Sequence, residues 1–92
     1  MTLSDLAARC EQEPPGKDLD RAIFKMLVDR GAKPLSYSTK LDDALMLVPD
    51  GSSWRVGKTP LGCFAYVGLK AQGHAATAAL ALCAAALRAV DG

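Results

Sequence analysis

Apolar residues return at three- and four-residue intervals in four stretches, and at two-residue intervals in one region between the third and the fourth. Leu3, Leu6, Ala7 and Cys10 share one face of a short first helix, for which Thr2 is the cap and Asp5 the reciprocal member of a capping box. Leu19, Ala22, Ile23, Met26 and Leu27 trace the stripe of an amphipathic second helix, with Asp18 as its expected N-cap. Arg30 suits the last turn of that helix, and Gly31 suits the left-handed position that ends it. A third helix is predicted after Ser38 or Thr39, with Asp42 and Asp43 in its first turn and Leu41, Ala44, Leu45 and Val48 facing inward; Pro49, Asp50, Gly51 and Ser52 stop it. The longest element is the alanine-dense run from Gly73 to Asp91, where Leu80, Cys83, Ala84, Leu87 and Val90 recur on one side. Ala, Leu and Arg favour the helix, and an alanine surface lets neighbouring backbones approach, so this is the expected central element.

The period changes to two in Trp54 to Gly57 and in Cys63 to Leu69, with Gly57 to Gly62 supplying turn residues between them. Those runs predict a β-hairpin, and Lys70, Ala71, Gln72 and Gly73 are read as the linker into the last helix. The expected fold is therefore α+β, in the order helix, helix, helix, strand, strand, helix, with the helices packed on a small antiparallel sheet made by that hairpin. Residues 1–17 hold the short first helix and a connector broken by Glu13, Pro14, Pro15 and Gly16.

The chain of 92 residues makes one domain, residues 1–92, with room for one modest core. Half of its residues are hydrophobic and 23% are charged, a balance outside the regime of intrinsic disorder. A formal charge of +1 leaves no broad basic field, which argues against general binding of DNA or RNA. The first ten residues lack the basic start and apolar run of a leader, and Ala75 to Val90 is too short and too alanine-rich for a membrane span, so a cytoplasmic protein is expected. Three cysteines, Cys10, Cys63 and Cys83, have no CxxC pairing and point to neither a disulfide framework nor zinc. They are expected to be reduced and buried as small hydrophobes.

Few residues offer chemistry. His74 is the single histidine, so any serine or cysteine triad needs it as the base, with Cys63 or Cys83 as nucleophile. On a shared helix Cys83 would stand about 13.5 Å from His74, beyond hydrogen bonding; a place at the helix boundary, beside Thr77 as a rival cap, is the expectation for His74. Asp42 and Asp43 are neighbours that point about 100° apart on a helix, which suits capping and solvation better than a metal site. Gly57-Lys58-Thr59 ends like a phosphate loop, yet Ser52 stands where the leading glycine belongs, and Pro60 follows in place of a helix. No catalytic, cofactor-binding or metal residue is assigned. Trp54, Phe64 and Tyr66 sit beside Arg55 and Lys58, an arrangement able to stack bases, although burial of Trp54 and Phe64 in the core is the stronger expectation. One face of the second strand is left over once the helices pack.

Two stretches, Tyr37-Ser38-Thr39-Lys40-Leu41-Asp42-Asp43-Ala44-Leu45-Met46-Leu47-Val48-Pro49-Asp50-Gly51 closed by Trp54, and Gly73-His74-Ala75-Ala76-Thr77-Ala78 continuing to Arg88, resemble the phage ABA sandwich domain family. That resemblance implies layers of helix, sheet and helix, and a small protein encoded by a phage or prophage. Members of the family often carry proline where Ala78 stands, and many have extra strand-like sequence between the equivalents of Gly31 and Tyr37.

The function expected from these readings is non-enzymatic binding of a host bacterial protein, most sharply inhibition of a defence system of the anti-CRISPR type. The alternatives are a structural or assembly role in the virion and a small hydrolase using His74. Trp54, Arg55, Phe64, Tyr66, Val67 and Leu69 form the candidate protein-binding or dimer surface. A homodimer is expected, joined through the outer edge of the second strand.

Overall fold

The computed structural model describes residues 2–31, 33–48, 51–68 and 71–91, with the side chains of Arg30 and Asp91 outside that description. The local signals at the start of the chain act as read. Helix α1 spans Leu3–Gln12, where Thr2 Oγ1 accepts the Asp5 N–H at 3.1 Å and Asp5 Oδ2 accepts the Thr2 N–H at 3.2 Å. Leu3, Leu6, Ala7 and Cys10 are its buried face. Helix α2, Lys17–Leu27, buries Leu19, Ile23 and Leu27, tightens into a 3-10 turn over Val28–Arg30, and ends at Gly31 with φ of 86°.

Capping of the next two helices departs from the sequence reading. Gly16, not Asp18, is the N-cap of α2, and Lys40, not Ser38 or Thr39, precedes α3, which is a short helix over Leu41–Leu45. Ser38 is fully buried and is occupied elsewhere: its Oγ accepts the Gly16 N–H at 3.0 Å and donates to the Gly16 carbonyl at 3.2 Å. Its own N–H donates to Asp20 Oδ1 at 2.7 Å, so one serine ties the segment before α3 to the first turn of α2. Ala44 is the buried residue of α3, while Leu41 stands exposed. The stop expected at Pro49 and Asp50 lies outside the described residues.

Among the described residues the sheet has three strands, one more than the sequence suggested. Strand β1 is Trp54–Thr59, β2 is Gly62–Val67 and β3 is Ala71–Ala75, in the antiparallel order β1-β2-β3. A two-residue turn, Pro60 and Leu61, joins the first pair, with Thr59 Oγ1 accepting the Leu61 N–H and donating to the Gly62 carbonyl, each at 3.2 Å. Ala71, Gln72 and Gly73 are thus strand rather than linker, and His74 belongs to β3 rather than to a helix boundary. Helix α4 begins only at Ala78 and runs to Asp91, with Thr77 Oγ1 accepting the Leu80 N–H.

Helix α4 lies at the centre. Every residue from Ala79 to Leu87 is buried, because the sheet covers one side through β2 and β3 while α1 and α3 cover the rest. A helix that is apolar all round belongs in the interior, and the alanines let its neighbours come close. The approach is tightest at Gly73 of β3, where an added Cβ would strike the Ala81 carbonyl oxygen and lie 2.8 Å from both Ala84 Cβ and Ala85 N. Among the described residues the helices gather on the α4 side of the sheet, and the opposite face carries the exposed Arg55, Tyr66, Gln72 and His74. The expected α+β class with a long C-terminal helix stands, with β3 as its addition. Among the described residues no helix is long and apolar enough to cross a membrane.

Candidate functional site

The register decides which side chains are available. Ala65 pairs with Val56 and with Gly73, and this set, with Val67, is turned toward α4. Side chains alternate across a strand, so Arg55, Gly57 and Thr59 of β1, Phe64 and Tyr66 of β2, and Gln72 and His74 of β3 share the outer face. Phe64 and Tyr66 meet edge to face there, with ring centroids 5.6 Å apart and planes at 64°. Phe64 also lies across Gly57 of the neighbouring strand, in the space a Cβ at that position would need. Tyr66 keeps 40% of its surface exposed, and Arg55, Gln72 and His74 are exposed beside it. At one end of this face Ser53, Trp54, Arg55, Tyr66 and Gly68 line a recess of about 450 Å³.

The predicted surface is therefore brought together in part. Arg55, Phe64 and Tyr66 are on the open face. Trp54, expected in the core, is 49% exposed; its register partner is Val67, so it stands at the outer edge on the helix side of the sheet. Val67 is 1% exposed and leaves the candidate surface altogether, because it faces α4. Leu69 lies outside the described residues. Gln72 and His74 join the face without having been anticipated as strand residues. Their signal was the alternation of small and polar residues in Ala71-Gln72-Gly73-His74-Ala75, muted because Ala and Gly are poor strand formers.

The edge-pairing expectation also changes. Strand β2 is central, with β1 on one side and β3 on the other, and has no outer edge. The outer edge of β3 is itself occupied: Glu11 Oε2 accepts the His74 N–H at 2.9 Å, and Arg88 Nη1 donates to the Gln72 carbonyl at 2.8 Å. The two side chains hold each other, Arg88 Nη2 lying 2.6 Å from Glu11 Oε1. The Arg88 guanidinium, helped by the His74 N–H, holds the Glu11 carboxyl below the usual range against the opposing effect of burial. Residues 77 positions apart make this clasp, which no local pattern announces.

Groups that could carry covalent chemistry are placed apart. Cys63 and His74 both border a second recess of about 450 Å³ with Glu11 and Thr59, but they project from opposite faces of the sheet, and Cys63 Sγ is directed to the Ala76 carbonyl at 3.9 Å. Cys83 Sγ donates to the Tyr37 carbonyl at 3.1 Å inside the core. Burial pushes the Cys10 thiol up to about 12 and the Cys83 thiol higher, away from the thiolate a nucleophile needs. Asp43 accepts the Ser36 N–H at 3.0 Å and fastens the segment before α3, while Asp42 is exposed. Among the described residues no three His, Cys, Asp or Glu side chains gather as a metal site. A groove of about 470 Å³ between α2 and residues 34–36 is lined by Lys17, Asp20, Arg21 and Lys25 over Phe24 and Leu35.

Comparison of the chain with protein-family models, with curated proteins and with solved structures returns no match.

Proposed function

We propose that this protein is a non-enzymatic binding module whose contact surface is the open face of its sheet. The observation that carries the reading is the Phe64–Tyr66 pair, held edge to face on a central strand with Phe64 half-buried and Tyr66 exposed beside Arg55. Aromatic and arginine side chains are the residues enriched where protein interfaces concentrate their energy. A three-stranded scaffold with Phe64 seated across Gly57 presents them at little entropic cost.

The proposed partner is a host bacterial protein met in the bacterial cytosol, and inhibition of a defence system of the anti-CRISPR type is the sharpest form of that proposal. The choice of partner draws on the phage-family resemblance alone, whereas the choice of surface draws on the geometry. Capture from a host lysate tests both, with wild type compared against a Tyr66→Ala, Arg55→Glu double variant shown to be folded by circular dichroism. The reading expects a protein retained by wild type and lost by the variant. Retention of the same proteins by both would overturn the assignment of the surface.

A further inference from the structure

The two edges of the sheet are finished differently. On β3 the outward N–H of His74 and carbonyl of Gln72 are taken by Glu11 and Arg88. On β1 the hydrogen-bonded partners of β2 are fixed by the hairpin turn and by the Gly68 N–H donating to the Ser53 carbonyl at 2.8 Å, which makes Ser53, Arg55, Gly57 and Thr59 the inward set. The outward backbone groups are then those of Trp54, Val56 and Lys58. No hydrogen bond among the described residues engages them, and no described element lies along that edge.

We infer that this edge pairs with a second copy of the same chain, β1 antiparallel to β1 of the partner about a two-fold axis through Val56. Three features of the strand select that occupant and that register. First, the outward groups of Trp54, Val56 and Lys58 fall opposite those of Lys58, Val56 and Trp54 of the other copy, so each pair can exchange both N–H···O bonds. Second, the side chains are complementary: the Lys58 ammonium meets the face of a tryptophan, and Arg55 comes opposite Gly57, the position over which Phe64 of that copy lies. No like charges oppose one another. Third, other registers are poorer: sliding the strand by one residue sets outward groups against inward-bonded ones, an axis through Arg55 places Arg55 on Arg55, and an axis through Gly57 sets Trp54 against Pro60. A two-residue shift of the axis toward the turn places Lys58 on Lys58 and brings in Pro60, which has no N–H.

The outcome is one continuous sheet of two three-stranded halves, ordered β3-β2-β1-β1-β2-β3, with a Glu11–Arg88 clasp closing each end. The two open aromatic faces become one surface. This inference rests on the edge and not on the proposed partner, and it stands or falls separately.

Sedimentation of the purified chain from about 1 to about 100 µM tests it, a range that spans the affinities of reversible dimers. The expected result is a rise from 9.6 kDa to twice that mass. Val56→Pro removes the N–H at the axis on a strand edge, where proline is tolerated, and is expected to weaken association at least ~10-fold. Because that variant could fail to fold, Val56→Cys in a Cys63→Ser background gives a second reading. Directly opposed residues of a hydrogen-bonded pair stand about 5.5 Å apart, within the span of a disulfide. Mild oxidation is expected to cross-link Val56→Cys and to leave Gln72→Cys, on the clasped edge, unlinked. A wild type that keeps a mass of 9.6 kDa throughout overturns the inference. So does a folded Val56→Pro chain that dimerises like wild type, or a dimer in which Val56→Cys does not link.

Discussion

Where α4 covers it, the inner face of the sheet holds Ala65, Val67 and Gly73 and is closed, while the outer face holds Phe64, Tyr66, Arg55, Gln72 and His74 and is largely open. Size is thus distributed against the usual expectation that the largest apolar groups go inside. The reason lies in α4. A helix whose buried positions include Ala79, Ala81, Ala84, Ala85 and Ala86 sits so close to β3 that only hydrogen fits at Gly73, and a layer of aromatic rings has no room beneath it. Close approach, not aromatic volume, closes the contact between α4 and β3; Tyr37 is buried elsewhere in the core, and Phe64 and Tyr66 stay on the outer face of the sheet.

That comparison breaks most sharply at Val67. A carboxylate there would be buried without a partner, so Val67→Asp is expected to cost about 3–5 kcal/mol and to unfold much of the protein in denaturant titrations. A Val67→Asp chain as stable as wild type would mean that β2 does not face α4 as described. Gly73→Ala is a smaller change at the same interface. Its Cβ meets backbone atoms of α4, which cannot swing aside as a side-chain tip does, and the expected loss is about 1–3 kcal/mol with a lowered melting temperature.

The clasp at the β3 edge responds to pH. The Glu11 carboxyl titrates below its ordinary value of 4.5 in the folded chain, so its contribution is fully present above that pH and is lost as the pH falls through the lower, folded value. Glu11→Gln should therefore lose about 1 kcal/mol at neutral pH, in keeping with a charge-assisted contact that is partly exposed, and show a flatter stability profile in acid. An unchanged acid profile would remove the clasp from the account. The smallest effect belongs to the outer face: Tyr66→Ala is expected to change stability by about 0.5 kcal/mol or less, because Tyr66 is exposed on the sheet's open face. If that variant instead unfolds as readily as Gly73→Ala, the outer face is structural and the contrast between the faces fails.

Much of the helical part was legible because its information is local. The Thr2 and Asp5 box, the Leu19, Ile23 and Leu27 stripe and the Gly31 stop each depend on residues within a few positions of one another. The exceptions were caps. Ser38 and Asp20 have the chemistry of capping residues, yet they spend it on each other's segments, 18 residues apart.

The sequence by itself determined an α+β chain with an alanine-rich central helix and a hairpin of alternating residues. Only the tertiary structure decided which side of that alternation faces in, since a period of two is unchanged when a strand is turned over. Packing against an alanine helix put Phe64 and Tyr66 outside and Val67 inside. The third strand was likewise decided by its surroundings. Ala71–Ala75 has little strand propensity of its own and is held by the ladder to β2, by the fit of Gly73 beneath α4 and by the Glu11–Arg88 clasp at its edge. Those partners come from both ends of the chain, and only folding brings them to one strand.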